Sequence, residues 1–392
     1  DQPRSRGLGD VYKRQRTIFP EYLYDPGLFF DEDGKVYVVH GQGTLYLTEL
    51  NSDVKSVKGK PVKIWQGGFK NAHELGGGFG MEGSHMYRIN GKYYITCPAG
   101  GTGGWQICLR SDNIYGPYEH KLIMNDWSSY PENGLHQGGM VQLKNGDWWF
   151  MIMQDRGPIG RVPCLVPVKW IDGWPMLGDE GKDLITYPKP ATGKKSKIKS
   201  PATTDEFNAS QLGLQWQWNH NPDNSRWSLK ERKGYMRLYA SQASTLKDAR
   251  NTLTQRVQGP SCEGSVEMEV TGLKDGNIAG FGIFEFPYAY VAIRQESGRR
   301  KIVMCNDGKD IETVEHFNGD KLWIRVRATD KEFKALFYYS LDGVNYKRIG
   351  NELQMGLGLP WTANRFALFN FNTTPQGNNG YADFNWFRFT NK

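Results

Sequence analysis

The chain has 392 residues, of which 47 are glycine and 13% are aromatic, with a net charge of +7. No apolar run approaches the ~18 residues that cross a membrane as a helix. Residues 1–16 carry +3 of the charge and 191–202 carry +4, so the remainder is neutral, which excludes the basic face of a nucleic-acid binder.

Cys97, Cys108, Cys164, Cys262 and Cys305 are odd in number, scattered and without a C-x-x-C pair. That argues against a disulfide framework or a zinc site. Cys97 and Cys108 fall in strand-like runs and read as small core residues. Long helical periodicity is absent. Short alternating runs broken by Gly, Asp and Asn dominate, so the chain reads as all-β.

In chain order, residues 1–15 (DQPRSRGLGDVYKRQ) have no initiator Met, no signal-peptide core and no strand pattern. They read as a non-native junction, with native sequence expected upstream. Residues 16–190 repeat one unit. Asp25, in YDPGLFFDEDGKVYVV, stands nine residues before Gly34; Glu82, in MEGSHMYRINGKYYIT, stands nine before Gly91. His136, in GLHQGGMVQLKNGDWWFMIM, stands ten before Gly146. The turn glycines are 57 and 55 residues apart.

Asn-Gly between two strand-like runs is a strong hairpin signal, because both turn positions need positive φ. Each unit is thus an ionisable residue, a strand, a tight turn and an aromatic strand. That period suits a propeller blade. Rotated about one axis, Asp25, Glu82 and His136 are expected to converge on a central channel. At about 55 residues per blade, 16–190 supply roughly three blades, fewer than a closed ring needs.

Residues 156–187 read as a further outer part, with a turn at Asp172–Gly173. Residues 191–202, ATGKKSKIKSPA, have a linker composition. Residues 203–392 form a second β domain. Val266, Met268 and Val270 alternate with Ser265, Glu267 and Glu269; Leu322, Ile324 and Val326 alternate with Trp323, Arg325 and Arg327. Ser340–Val344 reads as a hairpin turn, and Phe384, Trp386 and Phe387 make the last strand. The pattern fits a β-sandwich.

Several residues carry candidate chemistry. Glu82 is either the general acid of an acetal-cleaving carboxylate pair or a surface glutamate ahead of a hairpin. Asp25 is either its neighbouring carboxylate or the start of an Asx turn before Pro26. His136 either lines the channel, through water or a metal, or is an interior histidine. Arg161, after Gly160, either reaches a sugar hydroxyl or the acid or lies on the surface. Trp105, Trp127, Trp148 and Trp149 offer apolar faces for sugar rings; Trp148 and Trp149 are adjacent and point to opposite sides of a strand, so at least one packs inside.

At these residues the chain resembles glycoside hydrolase family 43, the β-xylosidase and α-L-arabinofuranosidase group. YDPGLFFDEDGKVYVVHGQG resembles the segment with the aspartate that tunes the acid, MEGSHMYRINGKYYIT the general-acid segment, LHQGGMVQL the channel-histidine segment, and IGRVPCLVPVKWIDGWP the segment with a substrate-contacting arginine. EFNASQLGLQWQWNHNPDNSRWSL and ARNTLTQRVQGP resemble the opening strands of the appended concanavalin-like sandwich. The likeness spans residues 18–392.

The resemblance implies a five-bladed propeller, its first blade missing here, followed by the sandwich. It implies exo-acting, inverting hydrolysis of xylosidic or arabinofuranosidic bonds of plant hemicellulose. Glu82 would be the acid, Asp25 its pKa modulator and orienter, and Arg161, His136 and Trp105 the substrate contacts. No cofactor is required, and the partner is a xylo- or arabino-oligosaccharide, not nucleic acid or membrane. The family's base segment has no match here, so the chain by itself is expected to be inactive or nearly so. A polysaccharide degrader is expected to be secreted or periplasmic.

Asp205 and Asp383, near the first and last sandwich strands, either hold a structural calcium ion through oxygen ligands or are surface aspartates. The chief rival is a non-catalytic carbohydrate-binding protein. A retaining enzyme of the invertase type would show a Glu-Cys acid, whereas Glu82 precedes Gly83. A purely structural adaptor leaves the ordered repeats unexplained.

Overall fold

The computed structural model describes residues 21–67, 69–71, 74–75, 80–125, 133–182, 186–193, 197, 199–356, 362–374 and 380–391. Among them, the regular elements are strands apart from two single 3-10 turns, Gly101–Gly103 and Gly157–Ile159. No helix is long and apolar enough to cross a membrane. The fold is all-β, in two compact units: Asp1–Asp155 with Val162–Lys195, and Arg156–Arg161 with Ser196–Lys392.

In the first unit, β1 (Gly27–Phe30), β2 (Val36–His40), β3 (Leu45–Leu50) and β4 (Val62–Trp65) form one four-stranded meander. β5 (Phe69–Asn71) and β6 (Glu74–Leu75) pair by themselves. A second meander comprises β7 (His85–Ile89), β8 (Lys92–Ala99), β9 (Trp105–Ser111) and β10 (Glu119–Met124). A third comprises β11 (His136–Gln142), β12 (Trp148–Asp155), β13 (Arg161–Ile171) and β14 (Trp174–Leu177). The turns sit where the glycines put them. Asn90 and Gly91 take φ of 50° and 79°, and Asp172 and Gly173 take 51° and 74°. Two consecutive positive φ values match the right-handed twist of the flanking strands.

The second unit is a pair of eight-stranded sheets. One runs Gln217–Trp218, Leu253–Arg256, Arg365–Asn372, Asn277–Phe284, Ala289–Glu296, Arg299–Asn306 and Lys309–Val314, with Ser241–Gln242 parallel to Arg365–Asn372. The other runs Trp227–Ser228, Met236–Tyr239, Tyr381–Asn391, Ser261–Glu269, Lys321–Thr329, Lys334–Ser340 and Lys347–Arg348, with Leu353–Gln354 on Lys334–Ser340.

The inward sides carry Val266, Met268, Leu322, Ile324, Val326, Phe281, Phe366 and Phe387, all fully buried in one cluster. The expected alternation holds, and its polar side is covered too. Glu267 accepts bonds from Lys321 Nζ at 2.7 Å and Trp323 Nε1 at 3.2 Å, and Glu263 accepts one from Arg327 Nε at 2.6 Å. Long cationic side chains on neighbouring strands thus shield carboxylates on the outer face.

Arg156–Arg161 goes with the second unit because its backbone is bonded there. Pro158 O accepts from Asn364 N at 2.7 Å, and Ile159 O accepts from Arg256 Nη2 at 2.8 Å.

The three meanders of the first unit are tied at fixed points. Asp31, beyond β1, accepts from Tyr93 Oη at 2.8 Å and Arg88 Nη1 at 3.1 Å in the second meander. Tyr87 Oη on β7 accepts from Met140 N on β11 at 2.8 Å, and Tyr94 Oη donates to Gly173 O at 2.9 Å. Val39, Leu45, Ile95, Ile107 and Leu109 fill the space between the first two sheets; Ile123, Phe150, Ile152 and Leu177 fill that between the second and third. At Gly27 the first strand nearly touches the second sheet, and an added Cβ would lie 1.9 Å from Ser84 O.

Gly27→Ala is therefore expected to destabilise the first unit by about 1–3 kcal/mol, as overpacking against rigid backbone does. Gly59→Ala, where an added Cβ meets nothing within 4 Å, is the control. Urea unfolding of both variants checks this, and equal midpoints would refute the close approach.

Candidate active site

The site is built by the backbone that enters the first strand of each meander. Asp25 has φ 48° and Gln137 has φ 58°, while Met81 and Gly83, which flank Glu82, have φ 57° and 56°. Gln137 sits where the β11–β12 register slips by one residue. Left-handed backbone at a non-glycine residue costs about 1–3 kcal/mol and persists where the surroundings over-determine it.

This geometry brings Asp25 and Glu82 to one place. A Cβ added at Gly83 would meet Gln137 Nε2 at 3.0 Å and Asp25 Oδ2 at 3.3 Å. Both side chains thus close over the residue next to Glu82. Glu82 is half-buried, and both of its hydrogen bonds land on one oxygen: Oε2 accepts from Gln42 Nε2 at 2.7 Å and from Tyr24 Oη at 3.2 Å. Gly41 N donates to Tyr24 O at 2.9 Å, which fastens the tyrosine to the end of β2. The negative charge of Glu82, followed by burial, the bond to Glu82 and the charge of Asp25, raises the Tyr24 hydroxyl above its ordinary pKa. His85 keeps solvent access. Crowding by protein still holds its imidazole below its usual value, against the pull of Asp25. A carboxyl with one oxygen free among the described residues, a second carboxylate beside it and amide and phenol donors around it is equipped to hand a proton to an oxygen of a bound molecule.

His136 is 3% exposed; Nδ1 lies 3.0 Å from Gly134 O, and Nε2 lies 3.7 Å from Oδ2 of buried Asp155. Its ring packs on Gly104, where an added Cβ would come 2.7 Å from Cγ. The residue aimed at Gly83 is Gln137 instead. Counting nine from Gly146, as from Gly34 and Gly91, selects Gln137 rather than His136. Tyr24 and Gln42 carry no such signal, since only the fold brings them to Glu82.

Trp105 is not an open sugar platform. It is buried at 7% exposure, and its ring lies flat on Gly100, where an added Cβ would sit 2.2 Å from Cζ3. A bare glycine backbone lets the indole pack there as part of the core. Trp149 is buried, whereas Trp148 is half-buried with its ring 5.7 Å from Trp170. Trp127 lies outside the described residues.

Arg161 opens β13 and lines a cavity of the second unit with Arg256 and Arg365. Asp205 and Asp383 are not brought together. Asp205 Oδ1 accepts from Phe207 N at 2.8 Å, Oδ2 accepts from Trp216 Nε1 at 2.8 Å, and its backbone bridges Phe387. Asp383 lies four residues along the same strand from Phe387, a rise of about 13 Å. It is buried and takes Arg237 through Nε at 2.7 Å and Nη2 at 2.8 Å, and Arg232 at 3.0 Å. Two guanidinium groups stand where a calcium ion would, so the pair does not fit that ion. Among the described residues no group of three or more His, Cys, Asp or Glu is placed to hold a metal.

Residues 12–175 match the model of the family described as glycosyl hydrolases family 43, and residues 204–390 match the beta xylosidase C-terminal concanavalin A-like domain. The chain is similar to a putative beta-xylosidase of Xylanibacter ruminicola, at 33% identity over 85% of this chain and 62% of that protein. It is 30% identical to a beta-xylosidase of Formosa agariphila, over 94% of this chain and 70% of that protein. Among solved structures, a bifunctional GH43-CE protein of Bacteroides eggerthii superposes with a TM-score of 0.84 at 38% identity, over 96% of this chain and 49% of that one. The chain thus spans less than two thirds of the Xylanibacter relative and about half of the Bacteroides protein.

His40 anchors the strand end that presents Gln42. It is buried, stacks on Tyr46 and lies 2.9 Å from Thr48 Oγ1, and burial pushes its imidazole below the ordinary value of 6.5. A lowered folded value means that the unfolded chain takes the proton first. The stabilisation is complete above the unfolded value and is lost as pH falls through the folded one. Stability measured by urea is therefore expected to decline as pH falls below the ordinary value of 6.5, and less steeply in His40→Gln. Identical slopes would remove His40 as a contributor.

Proposed function

The chain belongs to glycosyl hydrolase family 43, and from that premise we propose that it carries the proton-donating half of an inverting, exo-acting glycosidase of plant hemicellulose, with xylosidic bonds as its substrate. The observation that supports this is the convergence of Asp25 and Gln137 on Gly83, beside a Glu82 whose Oε1 is left without a partner among the described residues. The beta-xylosidase names of both relatives support the choice of xylose; arabinofuranosides are the second substrate to try.

In this reading Glu82 gives its proton to the leaving oxygen as the glycosidic C–O bond breaks. Water adds to the opposite face of the sugar and loses a proton to a base. Gln42 and Tyr24 hold the carboxyl in place from one side. Asp25 orients it from the other. His136 serves channel architecture. No stretch between Arg16 and Lys392 resembles the family's base segment, so water activation is the missing step. A polysaccharide substrate places the protein in the periplasm or outside the cell.

Azide tests this directly, because it adds to the sugar without needing a base. In buffer, the chain is expected to cleave xylobiose at a trace rate. With azide it is expected to cleave faster and to form xylosyl azide of inverted configuration. Glu82→Gln is expected to lower the azide-dependent rate by about 100-fold or more. Fast cleavage without azide refutes the absent base. Xylobiose binding with no cleavage under either condition favours a non-catalytic carbohydrate-binding protein.

A further inference from the structure

Trp148 on β12 and Trp170 on β13 lie with ring centroids 5.7 Å apart and planes at 77°, an edge-to-face corner rather than a stack. Trp170 meets Tyr94 of β8 in the same way, at 5.4 Å and 78°. The two indoles belong to the packing between the second and third meanders, yet both are only half-buried. The corner opens into a cavity of about 320 Å³, lined among the described residues by Arg88, Ile89, Asn90, Gln142, Trp148 and Trp170. This space is separate from the carboxyl cluster. Glu82 precedes β7 and Asn90 follows it, so a five-residue strand, about 16 Å long, lies between them.

The polar part of the lining is neutral. Asn90 and Gln142 are exposed carboxamides. Gln142 Nε2 donates to Gly146 O at 3.2 Å, and the Asn90 side chain makes no hydrogen bond among the described residues. A carboxamide presents a donor and an acceptor side by side, which complements adjacent sugar hydroxyls. Arg88 adds no net positive charge, because it donates to Asp31 Oδ1 at 3.1 Å and pairs with Glu32 Oε2 at 3.5 Å. Two carboxylates beside one guanidinium give an anion no advantage here. A ligand that suits this lining is uncharged, carries adjacent hydroxyls and has an apolar face. A pyranose with equatorial hydroxyls meets all three conditions, since its ring C–H bonds face an indole while its hydroxyls point outward to polar neighbours. The volume is at the small end of ligand sites, which run to about 300–1,000 Å³, so the cavity takes one ring of a chain rather than a long stretch.

We propose that this cavity is a second carbohydrate site, which holds a neutral pyranose unit of a polysaccharide without cleaving it. No carboxylate lines it to supply a proton. The neutral, hydroxyl-bearing ligand follows from the lining; the choice of a xylose chain rests on the glycosidase reading.

The test is electrophoresis of the full chain in native gels cast with soluble xylan. Xylan is expected to slow the wild type and Glu82→Gln alike. Asn90→Gly combined with Gln142→Ala is expected to weaken xylan binding by about tenfold or more and to leave azide-dependent cleavage of xylobiose unchanged. Glycine keeps the left-handed turn that Asn90 makes at φ 50°, and thermal unfolding checks the fold. Trp148→Ala is expected to weaken binding at least as much; the double variant carries the test if that protein fails to fold. Wild-type mobility that xylan leaves unchanged, or equal slowing of the double variant, overturns the site. Loss of slowing in Glu82→Gln assigns the binding to the carboxyl cluster and overturns it as well. Stronger slowing by polygalacturonate than by xylan overturns the neutral ligand. A chain that fails the azide assay and is still slowed by xylan refutes hydrolysis and leaves this proposal standing.

Discussion

The first unit depends on a backbone constraint that is repeated sheet by sheet. Where the chain enters the first strand of each meander, it turns through the left-handed region, at Asp25, around Glu82, and at Gln137. Such turns oppose the intrinsic preference of L-residues. Here they are held by inter-sheet contacts that leave no alternative, among them the approach of Gly27 to Ser84 O and the bond from Met140 N to Tyr87 Oη. The result is that short side chains from separate sheets meet over a single glycine. Glu82 itself stands just before β7, in backbone that these contacts hold.

The second unit manages charge differently. Its apolar layer is continuous from Met236 to Phe387, and Glu263, Glu267 and Asp383 are met by cations from neighbouring strands. Asp383 is the extreme case. It is buried and held by two arginines, so its ion pairs are short and directional rather than solvent-screened. Removing one partner of such a group would strand the other charge, which is why these networks specify strand pairing as much as they stabilise it.

Glu82 and its donors Tyr24 and Gln42 lie in the first unit, whereas the arginine-lined cavity lies in the second. Arg156–Arg161 shows that unit membership follows hydrogen bonding and not sequence position. It interrupts the first unit's segments, yet its carbonyls serve Asn364 and Arg256.

Local chemistry was legible in the sequence. Turn glycines at Gly34, Gly91 and Gly146, the alternation around Val266 and Ile324, and the equal spacing of Asp25 and Glu82 all depend on residues a few positions apart, and they determined an all-β chain of repeated hairpins followed by a sandwich. Tertiary structure alone decided the rest. It chose Gln137 over its neighbour His136, laid Trp105 on Gly100, gave Asp383 to Arg237 and Arg232, and opposed Arg256 to Arg365. The physical reason is common to these cases. A side chain's direction turns on the sign of one φ angle or on a single bulge, and its partners arrive from strands far away in sequence, so residue spacing carries no record of either.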